Sequence, residues 1–243
     1  MAEKKVTTTK TTESTDAVIN RARGFWAEYS KPIIYIGSAI ILLIGGWYGY
    51  KYFIQAPKEE KANQAIFPAE ALFDKMAAGG FNKDSSVIVL NGGNNDGVAV
   101  TGLLKVINNF DGTKAANRAE YMAGATYLHL KEFDKAIKYL KAFDADGAHQ
   151  VKSKAYIMLG HAYAEQNKTA EALDYYKKAA AVNTKDEGTT ADALFVAASY
   201  ADATGNQKEA VTLYQQLKND YPNATAVKSG DIDKYLARLG ILK

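Results

Sequence analysis

The longest apolar stretch in the chain is Pro32 to Tyr50, PIIYIGSAIILLIGGWYGY, nineteen residues without a formal charge between Lys31 and Lys51. As a helix it is about 28 Å long, close to the ~30 Å hydrocarbon thickness of a bilayer. It has no polar face; Ser38 is the single small polar interruption. Tyr35 stands near one end and Trp47, Tyr48, Tyr50 and Tyr52 crowd the other. Amphipathic rings favour those positions, at the level of the lipid headgroups. The pattern predicts a transmembrane helix over 32–54. A cleaved signal peptide fits less well, because thirty-one residues precede the stretch and it ends in Trp-Tyr-Gly-Tyr, without small residues for cleavage.

Upstream, residues 1–16 are polar and Thr-rich. They bury too little to offset their ordering entropy, so disorder is expected there. Ala17 to Lys31 sets Val18, Ile19, Phe25, Trp26 and Tyr29 among Arg21, Arg23 and Lys31. That run is read either as an amphipathic helix at the interface or as an unstructured juxtamembrane segment. Pro32 suits the first turn of the membrane helix. The tail carries six cations (Lys4, Lys5, Lys10, Arg21, Arg23, Lys31), against Lys51, Lys58 and Lys61 beyond the span. The excess places residues 1–31 on the cytoplasmic side.

Beyond the span, Ala56-Pro57 is expected to end or bend the helix. Helical spacing resumes over 58–78, with Ala62, Ala65, Ile66, Ala69, Leu72, Phe73 and Met76 near one face. Pro68 is expected to kink it and Gly79-Gly80 to stop it. Val87 to Leu90 reads as a short β-like run, followed by the turn-rich NGGNNDG, and 98–110 as another helix. Asn91 to Gly97 loosely resembles a calcium loop but has only Asp96 as a charged ligand, so a plain turn is favoured.

From about residue 117 the chain repeats. Gly124 to Ala136, Gly160 to Ala172 and Ala198 to Ala210 are each twelve residues apart. Tyr127, Tyr139 and Leu140 recur as Tyr163, Tyr175 and Tyr176, and Pro222 closes the third unit. These positions resemble the small, aromatic and closing positions of the tetratricopeptide repeat (TPR). The fold class is therefore all-α: a TPR α-solenoid after one transmembrane helix. Three units are expected over 117–222, a diverged hairpin over 58–110, and a capping helix over 228–243 to cover the last apolar face. Ala201, where such units usually have Tyr, departs from the pattern.

The resemblance also implies a groove lined by the first helix of each unit. In this chain its positions are Arg118, Tyr121, Leu128 and His129 in the first unit, Lys154, Ile157, His161 and Glu165 in the second, and Phe195, Ser199 and Asp202 in the third. Ala125, Ala164, Asp192 and Ala203 complete the set. The mixture suits a peptide or a partner helix, and its charge runs from basic to acidic. The alternative is that Tyr121, Leu128 and Ile157 pack between units. The Lys and Asn that hold a terminal carboxylate in chaperone-tail grooves are missing: those positions hold Tyr121/Ala125, Ile157/His161 and Phe195/Ser199.

Net charge is only +3, with acids and bases interleaved, which gives no argument for nucleic acid. There is no cysteine, so disulfides and thiol catalysis are excluded. The histidines are His129, His149 and His161; none has an acidic partner at metal-ligand spacing, and Gly92-Gly93 lacks the Lys-Ser/Thr of a phosphate loop. No cofactor, metal or catalytic site is expected. A hydrolase using a metal on His129 and His161 is the disfavoured enzyme reading.

Cytoplasmic tail, one span and TPR units together resemble the YfgM-type membrane-anchored TPR proteins of Gram-negative bacteria. The wording of 113–143 and EALDYYKKAA at 171–180 is most similar to the Bacteroidetes version. The resemblance implies a non-enzymatic inner-membrane scaffold with its C-terminal domain in the periplasm. It also implies the partners: the SecYEG translocon subunits, a PpiD-like periplasmic chaperone and nascent secreted polypeptides. Gly37, Ser38, Gly45, Gly46 and Gly49 would let another membrane helix approach closely. The alternative is a scaffold for a different envelope assembly or secretion complex.

Overall fold

The computed structural model describes residues 10–241. It comprises two compact units, one ending at Pro57 and one beginning at Lys58.

In the first unit, α1 (Lys10–Tyr50) runs through Pro32 and leads into a π-helical turn, Lys51–Gln55. Three expectations change here. Lys10 to Asp16 are helical rather than disordered, because extending an existing helix fixes only one residue per added hydrogen bond. The expectation for residues 1–9 lies outside the described residues. Pro32 lies inside the helix rather than at its start; established turns on both sides tolerate the one missing donor. Ala56-Pro57 does not end the helix: the π turn, in which the Ala56 amide reaches Lys51 O, widens the coil where the proline ring meets the preceding turn. The side chains of this unit are apolar nearly all round and open, Leu42 and Leu43 being 75% and 74% exposed. Among the described residues, Ala17–Gly79 is the one helical run long and apolar enough to cross a membrane, and none of its apolar window is buried.

The second unit starts within α2 (Ala56–Gly79), which buries Ala62, Ile66, Ala69, Leu72 and Met76 on one face and carries Pro68 inside the helix. Next comes α3 (Lys83–Asn91), where the sequence suggested a strand. Asn82 overrides the β-propensity of Val87 to Val89: its side chain accepts from the Ser85 amide at 2.8 Å, and Asp84 sits in the first turn. Strands β1 (Gly93–Asn95) and β2 (Val98–Val100) then form an antiparallel hairpin with Asn95 opposite Val98. Its two-residue loop, Asp96-Gly97, has both φ values positive, 50° and 84°, as a type I′ turn requires. The expected helix over 98–110 is therefore shortened to α4 (Leu103–Asn109).

Three helix pairs follow: α5 (Lys114–His129) with α6 (Phe133–Ala142), α7 (His149–Glu165) with α8 (Thr169–Ala181), and α9 (Glu187–Ala203) with α10 (Gln207–Asp220). Short helices α11 (Thr225–Lys228) and α12 (Asp231–Arg238) end the chain. Each pair turns through one left-handed residue, Lys131, Asn167 or Gly205. The following amide then returns to a carbonyl five residues back: Glu132 to Tyr127, Lys168 to Tyr163, Asn206 to Ala201, at 2.8–3.0 Å. Three identical caps make three pairs of the same geometry. The core forms two apolar clusters along the stack, and Tyr121 and Ile137 pack against both. All-α solenoid packing, as the repeats predicted, is what the chain adopts.

Candidate functional site

The inner helices α5 and α7, with α2 alongside, form an open face. Arg118 on α5 reaches α2, where Nε meets Glu70 at 2.7 Å and Nη2 meets Asn63 Oδ1 at 2.9 Å. Tyr121, one turn on, lies 5.2 Å from the Phe143 ring. These residues line a hollow of about 660 Å³ with Phe73 and Asp74 of α2 and Val151 of α7. A second hollow, about 350 Å³, brings Leu128 and His129 of α5 together with His161, Ala164 and Glu165 of α7. His129 also stacks on Phe81, 3.8 Å between centroids. Burial lowers the pKa of both histidines, with Glu165 acting against the shift at His161. The Tyr176 hydroxyl, 2.8 Å from His161 Nδ1, titrates far above the ordinary phenol range, chiefly through desolvation.

The remaining groove positions are placed differently. Lys154 is exposed, whereas Ile157 is half-buried and packs on the core. Phe195, Ser199 and Asp202 of α9 face the C-terminal helices. Phe195 lies 5.9 Å from the Tyr235 ring, Ser199 Oγ is 3.2 Å from the Tyr214 hydroxyl, and Asp202 pairs with Arg238. The expected basic-to-acidic run is damped at both ends, because Arg118 is paired with Glu70 and Asp202 with Arg238. A charge already matched inside the fold offers less to a partner.

Glu70, Phe73 and Asp74 on α2 escaped the sequence reading of the groove. The signal was present: three polar or aromatic residues at helical spacing beside the buried face of a helix already read as part of a diverged unit. Among the described residues, no three His, Asp or Glu side chains converge as a metal site would need.

Family models described as tetratricopeptide repeat match residues 118–143, 153–186 and 192–224. The chain carries three tetratricopeptide repeats. Each TPR match falls on one helix pair of the solenoid. No curated protein matches the chain. TPR domains bind protein partners, and TPR proteins are generally scaffolds rather than enzymes. The TPR frame also orders the contacts within units. The eighth position meets the twenty-fourth as Gly124–Leu140, Gly160–Tyr176 and Ala198–Tyr214, and the eleventh stacks on the twenty-third as Tyr127–Tyr139 and Tyr163–Tyr175. At Ala201 and Leu213 the tyrosine stack ends in a buried aliphatic contact position.

Proposed function

We propose that this chain is a non-enzymatic TPR scaffold, held in the bacterial inner membrane by one span over 32–54, with residues 1–31 cytoplasmic and the solenoid periplasmic. The scaffold binds proteins at the exit of the Sec translocon and links SecYEG to a PpiD-like chaperone or to emerging secreted chains. The observation that carries the scaffold reading is the open face of α5 and α7. It joins aromatic, aliphatic and charged side chains across two hollows, a surface suited to an extended polypeptide. The translocon is named through the resemblance of the whole architecture to YfgM-type proteins. In this reading the contacts are made by Arg118, Tyr121, Leu128, His129, Lys154, His161 and Glu165. Ile157, Phe195, Ser199 and Asp202 support that face from behind. Gly37, Ser38, Gly45, Gly46 and Gly49 have no neighbouring atoms of their own, so each leaves room for a partner membrane helix.

The test is extraction of the C-terminally tagged chain in mild detergent, followed by mass spectrometry. SecYEG subunits and a PpiD-like chaperone should co-purify near stoichiometry, and Tyr121→Ala should reduce the chaperone's recovery. Recovery of another envelope assembly with SecYEG at background would replace the translocon with that complex.

A further inference from the structure

Outside the open face, a second concave surface lies where α6, α7 and α8 meet. It is a slot of about 390 Å³. Its floor is apolar, formed by Leu140, Ala155 and Leu159, all at most 3% exposed. Its walls include the rings of Tyr156 and Tyr175, 5.9 Å apart. Three ammonium groups stand at the rim: Lys141, Lys152 and Lys178.

These lysines rest on rings. Lys141 Nζ lies 5.3 Å from the Tyr163 centroid and 5.9 Å from that of Tyr175; Lys152 lies 5.9 Å from Tyr156 and Lys178 4.8 Å from Tyr175. A ring face positions an ammonium without cancelling its charge. Lys178 is also paired with Asp174 at 2.6 Å, but among the described residues Lys141 and Lys152 form no ion pair. The one acid lining the slot, Asp144, already accepts from the Asp146 amide at 3.1 Å. The slot is therefore an apolar hole with two pre-positioned, uncompensated positive charges.

We propose that this slot binds an acidic segment of a partner protein, with one apolar side chain entering between Tyr156 and Tyr175 and flanking carboxylates meeting Lys141 and Lys152. Charge complementarity selects the occupant, and the hole selects a side chain over a flat surface. A lipid surface is less well matched: none of the large exposed apolar residues of the second unit, Phe67, Val87, Val98 and Ile241, lines the slot, so nothing there inserts into a bilayer. The site is separate from the open face and does not depend on the translocon reading.

The probe is a fluorescein-labelled peptide with one Phe flanked by runs of Glu, titrated by anisotropy against the full chain in phosphatidylcholine nanodiscs. Saturable binding that weakens with salt is expected. Lys141→Gln and Lys152→Gln should each weaken it by about tenfold, while Lys208→Gln, on an exposed side chain elsewhere, leaves it unchanged. Unchanged melting curves exclude misfolding, and Lys152→Gln stands if the loss of tyrosine contacts disturbs Lys141→Gln. Equal affinity for a peptide with Gln in place of Glu, or wild-type binding by both variants, overturns the proposal. So does co-flotation with phosphatidylglycerol vesicles that both variants lose, in the absence of peptide binding; the slot then faces lipid.

Discussion

Gly160 on α7 lies so close to Tyr176 on α8 that a Cβ there would sit 2.4 Å from the ring. Tyr176 is 2% exposed and cannot swing away, because Tyr200 packs edge-on against it at 5.1 Å. The third unit has Ala198 opposite Tyr214, so the same fold accepts a methyl at this position when the two helices are spaced for it. Gly160→Ala must force that spacing onto a packed pair. The expected cost is about 1–3 kcal/mol of stability, read from chemical denaturation. Gly188→Ala is the control: its Cβ would meet only Asp186 Oδ1 at 3.8 Å, and its melting point should not fall. Equal effects of the two would mean that the close approach is not what glycine provides at 160.

Glu59 acts as a remote cap. Its carboxylate accepts from the Lys114 amide at 2.8 Å and the Ala115 amide at 3.1 Å, at the N-terminus of α5, where unpaired donors and the helix dipole favour an anion. Thr113 separately caps Ala116, so the end is held twice. Glu59→Ala should cost about 1 kcal/mol and speed hydrogen exchange at Lys114 and Ala115. No change in exchange would show that Thr113 alone suffices.

These two relationships mark where sequence was informative and where it was not. The Gly160–Tyr176 approach was legible, since small and aromatic residues recur in three frames and a repeated fold needs each contact repeated. Glu59 was not, because its partners lie fifty-five and fifty-six residues away and only the packing of α2 brings them near. The strand read at Val87 to Leu90 failed because β-propensity was weighed without the Asn82 cap, which decides a nine-residue element. The hairpin carried a usable signal in Asp96-Gly97, the pair that fits a type I′ turn. Among groove positions, the first two units were read from their own helices. The third depended on what followed it, and the frame carried no information on α12.

The end of the solenoid should therefore behave as structure rather than as binding surface. Tyr235 of α12 stacks on Tyr214 at 5.0 Å with rings 2° from parallel, and also meets Phe195. Ile232 and Leu236 beside it are 0% and 1% exposed. Tyr235→Ala should destabilise the second unit by about 2–4 kcal/mol and bare the face of α9. Phe195→Ala should act in the same direction. If Phe195→Ala instead removes partner binding with the melting point intact, Phe195 belongs to the open face.

Protonation of His161 gives a prediction with a definite sign. Desolvation holds its pKa below the ordinary 6.5, and Glu165 only partly opposes this; His129 is lowered by burial as well. The folded chain therefore favours the neutral rings. Their contribution is complete above the unfolded pKa, about 6.5. It declines as pH falls from there toward the folded values, because the unfolded chain takes up protons first. The melting temperature should accordingly drop between about pH 7 and pH 5. The carboxylates held low by hydrogen bonds, Asp186 through Gln150 and Asp231 through Ser229, weaken the fold only at more acidic pH, so the windows separate. His161→Gln should flatten the upper window, and His161→Gln with His129→Gln should flatten it further. An undiminished slope in the double variant would place the titration elsewhere in the chain.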